Sequence, residues 1–208
     1  MPRFRHFFLP FPPLLILFFL HFSCARLFGW NIHAPGLLSE NFVRQIEPVP
    51  ARMALYLEPG LSQYRSTNKG SWSADPQTYF IGESLSPMLL EAFQEGFEEF
   101  IFLEVEPDAK ILKHYGIPYL AMVRIKDFQN LVTWKGQAVS LITETAVFDS
   151  ELRLLATFEA TGTSDAKGVF AKKGGPETNL SAALENNVQG IIQFLQDSIL
   201  TGSWKGNV

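Results

Sequence analysis

The chain's one cysteine, Cys24, closes an apolar leader, and that placement decides which residues are left to fold. Arg3, Arg5 and His6 form a short basic start, Phe7 to Phe22 is almost wholly apolar, and Ser23 supplies a small residue before the thiol. A basic n-region, a short apolar h-region and a small-residue exit describe a secretory signal peptide. A membrane-spanning helix needs about 20 mostly apolar residues. This run is shorter, and Pro10, Pro12 and Pro13 interrupt its first half, each removing a helix hydrogen bond. A transmembrane anchor is the weaker reading. With no second cysteine to pair, the domain downstream has no intrachain disulfide and must be held by its core.

Two cleavage positions compete. Cleavage after Ser23 would free the amine of Cys24 and make that residue the lipidation site. The segment Leu20-His21-Phe22-Ser23-Cys24 resembles in part the lipobox of bacterial lipoproteins, with His21 standing where a leucine is expected. Cleavage after Ala25 is the rival, since Ser23 and Ala25 make a small-x-small pattern. That route discards Cys24 and gives a soluble periplasmic protein. Ala25 lacks the aspartate that retains lipoproteins at the inner membrane, so the lipobox resemblance implies an outer-membrane lipoprotein on the periplasmic face.

Removing the first 23 residues leaves 185, enough for one domain with a sizeable core. It also removes Arg3 and Arg5, leaving 15 basic against 21 acidic residues, a formal charge of −6. A mildly acidic surface argues against a nucleic-acid partner, because phosphate contact needs a basic face.

The expected division is 1–23 signal peptide, 24–51 tether and 52–208 a single α+β domain. Pro35, Pro48 and Pro50 and the lack of a clean period mark the tether, of which 37–46 could form a helix or lie along the domain. Residues 52–57 alternate as a strand, and Glu58-Pro59-Gly60 ends it with turn chemistry. The stretch 62–77 reads as a long loop, and 78–81 as a short strand. Leu85, Leu89, Ala92, Phe93, Gly96 and Phe97 recur at helical spacing, with Ser84 or Ser86 as cap and Pro87 in the first turn. Gly96 is expected to let that helix approach the sheet. Residues 100–105 and 119–132 read as strands, 108–116 as a turn of helix or a loop, and 139–148 with 152–161 as a hairpin. A loop over 164–178 precedes a closing helix from about 179 to 200. Its stripe is Leu180, Leu184, Val188, Ile191, Leu195 and Ile199. Strands clustered in an antiparallel meander, with two main helices on one face, define an α+β fold.

Nothing in the sequence assembles chemistry. The mature chain keeps only His33 and His114, too few for a zinc site, which takes three or four ligands. Glu91 and Glu95 share a helix face with Glu98 and Glu99 nearby, but read as its solvated side. Glu104, Glu106 and Asp108 alternate as oxygen ligands for a hard cation would, without an EF-hand pattern. Lys172-Lys173-Gly174-Gly175 reverses the order of a phosphate loop, and no Gly-x-Ser-x-Gly elbow exists. No catalytic, cofactor-binding or metal-ligating residue is assigned, and no cofactor is expected. Trp72, Tyr79, Trp134, Phe170 and Trp204 fall in or near expected loops, strand ends or the tail. There they would either close the rim of the core or form a binding surface.

The leader ending in Cys24, a strand leading to Tyr64, Gly-Glu-Ser-Leu at 82–85, a Val- and Thr-rich hairpin and a closing amphipathic helix together resemble small proteobacterial envelope lipoproteins. YajG-like lipoproteins and the auxiliary lipoproteins of ABC-type lipid transporters share this plan, over roughly residues 52 to 200. The resemblance implies a periplasmic adaptor or binding domain and carries over no active-site residue. The expected function is a non-enzymatic, lipid-anchored accessory subunit with a membrane anchor and an envelope protein partner, as in a lipid or polysaccharide export system. A soluble periplasmic hydrolase of envelope polymers and a structural subunit of an envelope assembly are the alternatives.

Overall fold

The computed structural model describes residues 29–68, 76–133, 136–167 and 175–204. Cys24 and the leader lie outside the described residues, as do Trp72, Trp134, Phe170 and the Lys172-Lys173 pair.

The chain forms β1 (Trp30–Ile32), α1 (Glu40–Val43), β2 (Val49–Leu57), β3 (Ser66–Asn68), β4 (Gln77–Tyr79) and α2 (Ile81–Gly96). It continues through β5 (Phe97–Leu103), α3 (Ala109–His114), β6 (Tyr119–Thr133), β7 (Gly136–Asp149), β8 (Leu154–Lys167) and α4 (Pro176–Thr201). A five-stranded sheet has the order β5-β2-β6-β7-β8, and a small sheet the order β1-β4-β3. The class is α+β, as read from the sequence. The meander β6-β7-β8 is antiparallel, with Tyr119 opposite Asp149 and Gly136 opposite Lys167. The sheet as a whole is mixed, because β2 runs parallel to both β5 and β6. Parallel neighbours need a crossover, and α2 and α3 supply the two. Alternation along a strand reports which face is buried and carries no information about direction, so this feature escapes a pattern reading.

Along β7, Val139, Leu141, Thr143, Thr145 and Val147 are buried while the residues between them are only partly covered. Helix α4 lies on that buried face. Leu180, Leu184, Val188, Ile191 and Leu195 are all fully buried, as the helical spacing requires. Burying each such side chain contributes roughly 1.5–3 kcal/mol. Beside α4, α2 places Leu85, Leu89, Ala92 and Phe93 in the same core.

Helix α2 begins earlier than its cap signals imply. It starts at Ile81, leaving Pro87 inside the helix, and the Ser84 hydroxyl donates to the Ala34 carbonyl (2.8 Å) instead of capping. Tertiary burial of Ile81 and close seating of Gly82, where a β-carbon would lie 1.9 Å from the Leu61 carbonyl oxygen, override the local signal. Gly96 ends this helix. Its missing side chain faces Ile192 of α4, at 3.4 Å from a built β-carbon, so the close approach is to a helix and not to the sheet.

Part of the segment expected as a tether belongs to the folded unit. Ile32, Ala34, Leu38 and Phe42 are buried in the main core. Ser39 caps α1 by accepting from the Phe42 amide (3.2 Å), and the Glu91 carboxylate accepts from the Leu38 amide (2.8 Å). Apolar residues this scattered show no period, and that is why sequence alone reads them as linker. On the opposite face of the sheet, Ala54, Tyr56, Leu112, Ile117 and Leu120 form a second, smaller core beneath α3. The capping of α3 by Asp108, whose Oδ1 accepts from the Lys110 amide (2.8 Å), resolves the ambiguity over 108–116.

Candidate binding site

Strand β2 is the point where the chain changes direction in the sheet. One crossover leaves it through α2 on the main-core face to reach β5; the next returns through α3 on the other face to reach β6. Two crossovers of the same hand require this, and they leave a crevice beyond the carboxyl end of the strand between them. That end is Leu57, in register with Val123, and the amide of Glu58 donates to the Val123 carbonyl (3.1 Å). A pocket opens there, lined by Glu58, Met122, Val123, Arg124, Glu144, Ala146 and Phe148. Its volume, about 190 Å³, falls under the roughly 300 Å³ at which small-molecule sites begin. It has room for a single side chain.

The pocket opens onto the half of the sheet that α3 does not cover. A ladder of charges crosses three strands there. Arg124 Nη2 lies 2.6 Å from Glu144 Oε1, Lys126 Nζ lies 3.6 Å from Glu144 Oε2, and Lys126 also pairs with Glu159. The register shift between Ile125 and Asp127 makes Lys126 an extra residue on β6. The Glu159 hydrogen bond, followed by the charges of Glu159 and Glu144, raises the Lys126 ammonium above its ordinary range. Exposed pairs of this kind add little stability; they fix a pattern of alternating charge on this face.

The residues singled out from the sequence disperse. His33 stacks on Phe80 (centroids 4.2 Å apart) with Nδ1 3.3 Å from Glu83, while His114 sits edge-on to its neighbour Tyr115. Glu91 holds the Leu38 amide, Glu95 is exposed, and Glu99 pairs with Arg52. Among the described residues no group of three His, Cys, Asp or Glu could hold a metal ion. Trp204 packs against Tyr119 (5.2 Å) on the main core, so it closes the rim.

Tyr79 proves to be a joint between substructures. Its hydroxyl donates to Gln77 Oε1 (2.6 Å) and accepts from Asn130 Nδ2 (2.6 Å) and Gln137 Nε2 (2.7 Å). Burial pushes its pKa up to about 12, against the opposing pull of the Gln137 and Asn130 hydrogen bonds. The phenol is therefore neutral at ordinary pH and holds the small sheet to the β6–β7 hairpin. Asn68 Nδ2 donates to the Asn130 carbonyl (3.2 Å) and Asn179 Nδ2 to the Gln137 carbonyl (3.1 Å). These bonds gather β3, β4, the arms of the hairpin near its tip and the start of α4 at one end of the molecule, and the start of β1 joins them because Trp30 and Asn68 are both in register with Gln77. No local motif announces the network, because its members come from three separated stretches of sequence.

The geometry defines an α+β domain with a mixed sheet, one face packed beneath α2 and α4 and the other half open. No family model and no curated protein matches the chain. Among solved structures it is similar to protein XCC0632 from Xanthomonas campestris, described under DUF330, at 10% identity and a TM-score of 0.49, covering 84% of this chain and 96% of that one. It is also similar to a PelC dodecamer chain from Paraburkholderia phytofirmans, at 11% identity and TM-score 0.40, covering 71% and 87%. A third is the lipoprotein GNA1162 from Neisseria meningitidis, at 9% identity and TM-score 0.35, covering 74% and 97%. With every TM-score under 0.5, no residue role is carried over from these chains. Among the described residues no helix is long and apolar enough to cross a membrane.

Proposed function

We propose that the protein is a non-enzymatic, lipid-anchored envelope lipoprotein whose domain binds another envelope component as an accessory subunit. A place in a lipid or polysaccharide export system suits such a subunit. The observation that carries the binding role is the uncovered outer face of β6-β7-β8, with the pocket at the carboxyl end of β2 at its margin and the Arg124–Glu144–Lys126–Glu159 ladder across it. A small apolar floor of Met122, Ala146 and Phe148 beside fixed charges suits a partner's side chain with polar surroundings. The leader and Cys24 support the anchor and the envelope location.

The test is photo-crosslinking in cells, with a photoreactive residue placed at Thr157 or Thr161 on the open face and at Asn186 on α4 as the control. The proposal expects one discrete crosslinked partner from the open face. Crosslinks only from α4, or none from either element, would contradict it.

A further inference from the structure

We propose that the β1 end of the domain rests on the bilayer surface, with Trp30 at the level of the lipid headgroups. This rests on Cys24 carrying the lipid. Five peptide steps separate Cys24 from Gly29, at most about 18 Å of chain in any conformation. Beyond Gly29 the chain is fixed to the domain. The Trp30 amide donates to the Pro76 carbonyl (2.8 Å), Trp30 is in register with Gln77, and a β-carbon on Gly29 would lie 2.8 Å from the Pro76 carbonyl oxygen. Strand β7 has 14 residues, and at about 3.3 Å per residue it runs roughly 46 Å.

The connection is thus much shorter than the body it holds. Acyl chains in the hydrocarbon keep the modified cysteine at the membrane surface, so the β1 end cannot move beyond about 18 Å from it. This end is the one held within that limit, and the turn at 149–153 lies at the opposite end of β7. Trp30 stands at the attachment point with 60% of its surface exposed. An indole has an apolar body and a single N–H donor, and it partitions to the headgroup layer. With the β1 end down, the β6-β7-β8 strands rise from the membrane and the open face looks sideways, where a membrane-embedded neighbour can reach it.

The experiment uses the processed, full-length lipoprotein carrying either Asn31→Cys or Ser150→Cys, labelled with an environment-sensitive fluorophore. Acylation occupies Cys24, so the introduced thiol alone takes the label. The protein is reconstituted in phosphatidylethanolamine–phosphatidylglycerol vesicles with and without headgroup-labelled quencher lipid. Quenching several-fold stronger at position 31 than at position 150 is expected, and Trp30→Ala should weaken it. Acylated, vesicle-bound protein with equal quenching at both positions would overturn the orientation alone. Mass spectrometry showing no acyl group on Cys24 would remove the anchor reading and this orientation with it.

Discussion

A β-carbon on Gly162 would lie 2.0 Å from the carbonyl oxygen of Ala183, so β8 and α4 meet backbone to backbone. Neither atom belongs to a flexible side chain, and the helix must lift if the space is filled. Gly162→Ala should therefore destabilise the domain by about 1–3 kcal/mol, the usual range for overpacking. Urea unfolding measures it. A midpoint equal to wild type would show that α4 is not seated on this strand.

Next to that contact, Asn187 is fully buried and fully used. It donates to the carbonyls of Ala160 (2.8 Å) and Leu141 (3.3 Å) and accepts from the Thr143 hydroxyl (2.9 Å). Thr143→Val keeps the shape and leaves the Asn187 amide oxygen without that donor. A loss of about 1–3 kcal/mol follows from an unsatisfied buried acceptor. The double change with Asn187→Leu should show strong non-additivity in a mutant cycle. Additive losses would mean that the two side chains do not interact.

Both contacts illustrate what the sequence does and does not disclose. The stripe from Leu180 to Leu195 and the alternation from Val139 to Val147 are legible, because periodic burial writes itself into residue order. Gly162 and Asn187 are not. A glycine in a strand and an asparagine in a helix look like local defects until their partners, 21 and 44 residues away, are known. The same reasoning covers Ile32, Leu38 and Phe42, single apolar residues whose burial comes from tertiary packing. The candidate pocket was less legible still: Glu58, Arg124 and Glu144 meet only because β2 lies parallel beside β6.

Tyr79 predicts an alkaline limit. Its pKa in the fold is about 12 against an ordinary 10, so the unfolded chain loses its proton first. The contribution is complete below pH 10 and is lost between pH 10 and about 12, on the order of 2 kcal/mol in all. Tyr79→Phe should start less stable, since Asn130 and Gln137 lose an acceptor, and should decline less steeply over that range. Tyr64, raised by burial and then by the charge of Asp127, titrates in both proteins and cancels in the difference. Parallel stability–pH curves for the two proteins would refute the assignment.

Leu195 is fully buried on the last turns of α4. Leu195→Asp places a charge in the core with no partner provided for it, a mechanism that belongs to the large-effect class of more than about 4 kcal/mol. Loss of the cooperative thermal transition is expected. A midpoint close to wild type would show this face to be exposed and would make it a partner surface.

The most direct test of the account is fractionation of cells expressing wild type and Cys24→Ala at matched abundance. One acyl chain holds a protein at a membrane only marginally and stable anchoring takes at least two signals, so removing the whole lipid should release the domain. The account predicts wild type in the membrane fraction. It places Cys24→Ala in the soluble periplasmic fraction, or retained with its leader uncut. Cys24→Ala with its leader cleaved and its membrane association unchanged would contradict the claim that this domain works from a lipid anchor.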